Sequence, residues 1–303
     1  MSKPITNFIA NYPLHPVANP TYKTTLEALL SFIENAKKLV VVTGAGISTD
    51  SGIPDYRSPG KVPPNPITHN QFVSAEEYRK RFWTRSYIGY LPFSTASPNI
   101  SHYVLQELEK EGKLHHMITQ NVDGLHRKAG TSKLTELHGN LHHVRCLNCD
   151  HKLTRMDMQR KIEELNGEIL SLKDREKLHQ QSVKPDGDVE MGNFDYNLLR
   201  IPECDNCSVG TLMPEVVFMG GTVPTHISEA ATRAVEEGDS LLVVGSTLTV
   251  YSSYRLAKLA KSKNIPLAIV NRGLTRADSF ADIKIEDSIA DTLSTCYKLL
   301  KKQ

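Results

Sequence analysis

Between residues 24 and 44 the apolar positions change period. Over TTLEALLSFIENA (24–36) they recur at three- and four-residue steps, the signature of one helical face. Over KLVVVTG (38–44) they run unbroken, as in a strand covered on both sides. The same alternation continues along the chain. Helical spacing over 98–110 leads to the strand HHMITQN (115–121), and a short helix is expected over DGLHRKAG (123–130). Toward the C-terminus, the strands MPEVVF (213–218), SLLVVGS (240–246) and PLAIVN (266–271) alternate with helical patterns at 226–237 and 253–263. A last strand, DIKIE (282–286), precedes a helix over 289–301. Strands alternating with helices predict an α/β fold, a doubly wound, Rossmann-like parallel sheet with helices on both faces.

Three stretches interrupt this rhythm. PGKVPPNPITHN (59–70) holds Pro59, Pro63, Pro64 and Pro66 and excludes regular structure; it reads as a connector or as a loop that closes over a ligand. Residues 72–93 are aromatic-rich, and short helices with a structural aromatic cluster are expected there. Residues 151–181 read as helix with one apolar stripe through Ile162, Leu165, Ile169 and Leu172, and with both charge signs on the solvated side. The predicted organisation is a doubly wound domain from 26–57, 106–141 and 213–303. Into it are inserted a loop-and-helix segment (58–105) and a cysteine-bearing module (142–212), and residues 1–25 form an N-terminal arm.

At 303 residues the chain is long enough for one large domain or two modest ones. A formal charge of +2 demands neither a nucleic acid nor an anionic membrane, and no apolar run reaches the ~18 residues of a membrane helix. The leader lacks a secretion signal. It carries Lys3 and Lys23 but no arginine, so an extended arm is expected over a transit peptide, and a cytoplasmic location over a mitochondrial matrix. Of five cysteines, Cys296 lies in an apolar helical pattern and reads as core. The others form two CxxC turns, Cys146/Cys149 and Cys204/Cys207, which suit tetrahedral structural zinc with no open position; redox use of one pair is the alternative.

Gly44-Ala45-Gly46 after a buried strand suits a pyrophosphate held by backbone N–H groups at a helix start. A hydride-transferring site would also want an acidic residue about 20 positions on, and none lies between Asp55 and Glu76. Gly245-Ser246-Thr247 and Asn271-Arg272-Gly273 also follow strands, at the edge where open parallel sheets bind ligands, and ordinary turns are the blander reading. TQNVDGLH presents Gln120, Asn121 and Asp123 from another strand end, and His138 in LTELHGN is a candidate general base.

Taken together, GAGISTDSGIPDYRS, TQNVDGLHRKAG, ELHGN, the two CxxC pairs, PEVVFMG, VVGSTL and VNRG resemble the sirtuin family, in order, from about residue 26 onward. Tyr56, Val122 and KPDGDV (184–189) resemble its class II, mitochondrial-type branch. The resemblance implies an NAD-consuming protein-lysine deacylase. In that chemistry the acyl oxygen attacks C1′ of the nicotinamide ribose, nicotinamide leaves and an alkylimidate forms. His138 would act as base on a ribose hydroxyl. The products are free lysine and an acyl-ADP-ribose. Asp123, Ser48 and Ile53 map onto the nicotinamide pocket, and Arg57 and Asn121, with Gln120 beside them, onto ribose and phosphate contacts; Asn121 joins His138 as an expected catalytic residue. Ala45, Gly46, Ser246, Thr247, Asn271 and Ile289 map onto the adenosine half, and Tyr56 would shield the intermediate. Gly44, Thr49, Asp55, Val122, Gly245, Arg272 and Gly273 complete the expected cofactor-binding set. NAD and one structural zinc are the implied ligands, and an acyl-lysine protein the implied partner. Oligomeric state is left open, a monomer being compatible.

The sequence departs from the family at Met219 and Gly221, where an aromatic and an acid are common beside the peptide groove. Tyr78 and Arg81 have the spacing of a desuccinylase pair within a segment that otherwise aligns with class II, which leaves an acidic acyl group open. Mono-ADP-ribosyl transfer, and an NAD-sensing binding module without turnover, are the alternative functions.

Overall fold

The computed structural model describes residues 22–56, 66–169, 184–189, 191 and 194–302. Most of the expected arm (1–21), most of the proline loop with Arg57 (57–65), and the later part of the expected 151–181 helix (170–183) lie outside them. The main body is a six-stranded parallel sheet. Its strands are β1 (Leu39–Thr43), β2 (Leu114–Thr119), β3 (Leu134–Glu136), β7 (Ser240–Val244), β8 (Leu267–Val270) and β9 (Ile283–Ile285). The order across the sheet is β3-β2-β1-β7-β8-β9. From β1 the chain winds outward to β2 and β3, then returns to the other side of β1 for β7, β8 and β9. The reversal leaves a crevice at the carboxyl ends of β1 and β7, where open sheets of this kind bind ligands.

The unbroken apolar run of β1 reflects its place at the centre. All five residues are buried. Leu39 and Val41 face helices α1 (Leu26–Asn35), α4 (Ile100–Lys110) and α9 (Ile289–Leu300) through Leu29, Ile33, Leu105 and Leu293. Val40 and Val42 face α7 (Thr225–Glu237) and α8 (Tyr251–Ser262) through Ala231, Val235, Leu256 and Ala260. Each such buried aliphatic side chain contributes roughly 1.5–3 kcal/mol of transfer free energy. Cys296 sits in the first of these clusters, as its sequence context predicts.

A second sheet is antiparallel, in the order β5-β4-β6, from β4 (Gly139–Cys146), β5 (Lys152–Thr154) and β6 (Leu212–Val216). This corrects two expectations. MPEVVF joins this small sheet and not the parallel one: it pairs antiparallel with β4, and its burial lapses after Pro214. Residues 152–154 are strand, and α6 (Arg155–Asn166) starts only after them, capped by Thr154. The proposed stripe on that helix also shifts, because Ile162 is buried whereas Leu165 is 43% exposed; Met158 and Asn166 turn inward with Ile162.

The aromatic segment forms α2 (His69–Ser74) and one long helix, α3 (Glu76–Thr95), where shorter ones are expected. Its rings are structural. Phe72 packs edge-on against Phe82 at 5.4 Å and against Phe218 at 4.9 Å. Trp83 donates from Nε1 to the Leu212 carbonyl at 3.2 Å, tying α3 to β6. Arg155, fully buried, stacks its guanidinium between Trp83 and Tyr90 at 5.0 and 4.5 Å from the ring centroids. Among the described residues no helix is long and apolar enough to cross a membrane.

Candidate active site

Two glycine turns meet at the crevice. The Gly44 N–H donates to the Val244 carbonyl at 3.0 Å and the Gly46 N–H to the Gly245 carbonyl at 2.9 Å. A Cβ on Gly46 would lie 2.9 Å from Gly245 Cα, and one on Gly245, whose φ is +63°, would lie 2.5 Å from the Ile47 nitrogen. These glycines therefore serve the close approach of two strand-end turns. The segment after Gly44 is a seven-residue 3₁₀ helix, Ala45–Ser51, where an ordinary helix start is expected from the sequence. The Thr49 hydroxyl bonds back to the Gly46 carbonyl at 3.0 Å, and Gly52, with φ +82°, ends the turn. Thr49 itself is exposed.

A polar floor spans the ends of β1, β2 and β7. Asn121 donates from Nδ2 to the Gly44 carbonyl at 3.2 Å and to Ser48 Oγ at 3.1 Å. Ser48 Oγ donates to Asp123 Oδ2 at 2.7 Å, and the N–H of Leu125, which opens the short helix α5 (Leu125–Lys128), donates to Asp123 Oδ1 at 2.9 Å. Burial raises the Asp123 pKa, while these donors and the nearby His142 hold it down. Each oxygen has accepted one bond from these partners, leaving acceptor capacity for a ligand amide. Gln120 bridges the strand ends: Nε2 donates to Ser246 Oγ at 2.7 Å and Oε1 accepts from Ser253 Oγ at 2.9 Å. An apolar cluster of Ile53, Tyr90, Phe93, Leu125 and Leu141 walls this floor, with Val122 packed against it.

His138 sits where the chain leaves the large sheet for the small one. The Leu137 N–H donates to the Thr119 carbonyl at 2.8 Å, and the His138 carbonyl accepts from the Val217 N–H at 2.8 Å. Gly139 makes the turn between them at φ +84°. The ring is engaged at both nitrogens. Nδ1 lies 3.0 Å from the Gln120 carbonyl oxygen and Nε2 lies 2.8 Å from Ser252 Oγ. A carbonyl only accepts, so Nδ1 carries the hydrogen and Nε2 presents the basic lone pair. The surrounding protein pushes the imidazole pKa down to about 4, against a smaller opposing effect of the Gln120 carbonyl. The ring is therefore neutral at physiological pH, the form a general base requires.

The structure thus brings Gly44, Ala45, Gly46, Ser48, Ile53, Gln120, Asn121, Val122, Asp123, His138, Gly245 and Ser246 around one crevice. Asp55 and Tyr56 are half-buried at the end of the described segment, and Arg57 falls outside it. Thr247 bonds to Thr249 at 2.8 Å. Asn271 is buried and donates to the Arg272 and Gly273 carbonyls, while Arg272 and Gly273 are exposed beyond the end of β8. Ile289 opens α9 and packs on the core beneath. Sequence reasoning missed the supporting groups. His142 donates from Nε2 to the Asp123 carbonyl at 3.0 Å and takes the Tyr90 hydroxyl on Nδ1 at 2.8 Å. Ser252 and Ser253 come from the first turn of α8, and no motif marked them. Their only local signal is a pair of hydroxyls opening a helix just after the GSTL turn.

The four paired cysteines form a separate cluster in the small sheet's lobe. Their sulfurs all lie within 4.8 Å of one another. Cys146–Cys207 and Cys149–Cys204 are each 3.7 Å apart, and none is disulfide-bonded. Zn–S bonds of about 2.3 Å set a tetrahedron edge of roughly 3.8 Å, so this spacing fits four thiolates around one zinc. The two turns are built alike: the Asp150 N–H bonds the Cys146 carbonyl and the Ser208 N–H bonds the Cys204 carbonyl, both residues at positive φ. A Cβ on Gly210 would sit 2.0 Å from Cys146 Sγ, so only glycine fits against the cluster. The redox alternative loses ground, since all four sulfurs form one cluster that joins the two CxxC pairs.

Comparison with known proteins agrees with this arrangement. The model of the Sir2 family matches residues 44–252. The chain is 40% identical over 283 residues to the NAD-dependent protein lipoamidase sirtuin-4, mitochondrial, of Bos taurus, covering 92% of this chain and 87% of that protein. It is 39% identical over 287 residues to the NAD-dependent protein deacylase Sirt4 of Drosophila melanogaster, covering 93% and 89%. A solved structure described as Sir2-p53 peptide-NAD+ superposes with a TM-score of 0.72 at 29% identity, over 92% of this chain and all of that one.

Proposed function

This chain belongs to the Sir2 family, and on that premise we propose that it is an NAD-consuming protein-lysine deacylase working in the β1/β7 crevice. One observation carries the reading: a neutral imidazole, His138, is locked with its lone pair on Nε2 beside the polar floor of Asn121, Ser48 and Asp123. NAD supplies the acyl acceptor, because loss of nicotinamide leaves its ribose open to the acyl oxygen. The residues of the chain then divide the work. Asp123 has spare acceptor capacity for a carboxamide N–H and is held rigid by Ser48, Leu125 and His142. Asn121, pinned to Gly44 and Ser48, faces the ribose side. Ile53, Val122 and the cluster behind them keep water from the cationic sugar, with Tyr56 at the rim. Ala45, Gly46, Ser246, Thr247, Asn271 and Ile289 serve the adenosine half, and Arg57 a phosphate or ribose contact. His138 removes a proton from the sugar hydroxyl that captures the acyl group.

The cysteine cluster takes one zinc in a structural role, since four thiolates leave no place for water. An acyl-lysine protein is the second substrate. The cattle relative is mitochondrial by name, which supports a mitochondrial location over the cytoplasmic one expected from the leader. The test is nicotinamide release from NAD with a panel of acyl-lysine peptides, acetyl, lipoyl and acidic acyl groups among them. At least one peptide should drive release, and His138→Ala should abolish free lysine formation. No release with any peptide overturns the reading.

A further inference from the structure

We propose that Ser252 is a catalytic residue of this site, relaying the proton from the substrate's sugar hydroxyl to His138. This rests on the deacylase reading above and adds a group to it. The Nδ1–H of His138 is fixed on the Gln120 carbonyl, so Nε2 holds the ring's one basic lone pair. That lone pair is taken: Ser252 Oγ lies 2.8 Å away, and its hydroxyl is the only hydrogen available to the contact. A hydroxyl, an imidazole and an oxygen acceptor behind the imidazole reproduce the geometry by which a base activates an alcohol. While that contact is intact, a sugar hydroxyl delivers its proton to the imidazole through Ser252 Oγ.

Ser252 is equipped for the relay. Its oxygen accepts no bond from any described residue, so both lone pairs remain for an incoming O–H. The residue is half-buried, reachable from the crevice yet fixed in the first turn of α8. The cap of that helix, Val250, offers no side-chain acceptor, and the helix's positive end faces the Oγ that carries transient negative charge. Its neighbour Ser253 is tied to Gln120 Oε1 at 2.9 Å, so one residue, Gln120, fixes the imidazole through its carbonyl and the helix start through its side chain.

The step balances without another reagent. The sugar O–H bond breaks as an O–H bond forms on Ser252 Oγ, and the original Ser252 proton passes to His138 Nε2. The sugar oxygen attacks the acyl carbon as the C=N π pair of the imidate moves onto the lysine nitrogen, and the imidazolium is held by the Gln120 carbonyl. Ser252 ends with the same number of protons that it began with. On later collapse the imidazolium returns a proton by the same route to the lysine nitrogen, whose C–N bond breaks.

The test separates the two stages of turnover. Exchange of labelled nicotinamide into NAD, in the presence of an acyl peptide, needs only the first stage and also reports whether the deacylase reading holds. Formation of free lysine needs the relay. Ser252→Ala should retain exchange within about twofold while free-lysine formation falls by roughly 10²-fold, the usual worth of a proton-transfer group. Ser252→Thr, which keeps the hydroxyl, should recover most of the lost rate. Free-lysine formation by Ser252→Ala at the wild-type rate overturns the relay, and so does a parallel loss of exchange and product, which marks a structural residue. Absence of exchange in the wild-type protein overturns the deacylase reading itself.

Discussion

His102 makes this protein sensitive to mild acid, by an amount the structure sets. The side chain is fully buried in α4. Its Nδ1 accepts the Asn99 N–H at 3.3 Å, so the hydrogen sits on Nε2, which has no partner among the described residues. The ring packs at 4.8 Å against that of His126, whose Nδ1 also lacks a partner among them. Burial pushes the His102 pKa down to about 4 and drives His126 well below its ordinary value in the same direction. In the unfolded chain each imidazole binds its proton near pH 6.5. Between about pH 6.5 and 4 the unfolded state therefore holds more protons than the native state, and stability falls as pH falls. For His102 alone the loss is about 2 kcal/mol between pH 7 and pH 5, approaching ~3.4 kcal/mol below pH 4. His126 adds to it with the same sign. The assay is urea unfolding at pH 7, 6 and 5 for the wild-type chain and for His102→Asn, which keeps an acceptor for the Asn99 N–H and does not titrate. The variant should lose about 2 kcal/mol less than the wild type across that range, whatever its stability at pH 7. Parallel pH dependence in the two proteins refutes the reasoning.

Gly139→Ala should disable the site through the backbone. A Cβ there would lie 1.9 Å from the Glu215 carbonyl at φ +84°, so β4 and β6 must part beside His138; about 2–5 kcal/mol of stability should go, and free-lysine formation with it, as thermal melts and product assays will show. Chelation of zinc should unfold the lobe around Cys146 and Cys204, read as loss of secondary structure by circular dichroism. Gly210→Ala should lower the metal content per chain, since its Cβ would strike Cys146 Sγ. Lys284 is fully buried and donates to Asp278 at 2.8 Å and to the Gly273 carbonyl at 3.0 Å. Lys284 also pairs with the exposed Glu286 at 3.2 Å, so Asp278→Asn should cost about 1–3 kcal/mol by removing the buried one of its two carboxylates, and should raise the KM for NAD more than it lowers kcat, because the 271–273 turn loses part of its anchor.

What the sequence showed and hid divides along one physical line. Periodicity reports how a segment is buried, and it located β1, β7, β8 and the helices between them because a strand covered on both faces must be apolar throughout. Strand ends leading into glycine or polar turns were equally visible, which is why Gly44, Asn121 and Gly245 emerged as candidates. Periodicity carries no record of the partner. MPEVVF reads as one more parallel strand until β4 is seen beside it, and only that pairing places His138 at the junction of two sheets. Arg155 looks like a solvated charge on an amphipathic helix, yet it is buried between Trp83 and Tyr90, residues far earlier in the chain. The same limit governs the chemistry. His138 could be proposed from its own neighbourhood, but its tautomer depends on the Gln120 carbonyl and its lone pair on Ser252, 114 positions downstream. A serine opening a helix has no distinguishing pattern, since helix starts favour hydroxyls for capping alone. Its contact with the imidazole follows from β7 lying next to β1 at the reversal of strand order, which aims α8 back across the crevice. The proton path at this site is thus a consequence of topology acting on residues that are individually unremarked.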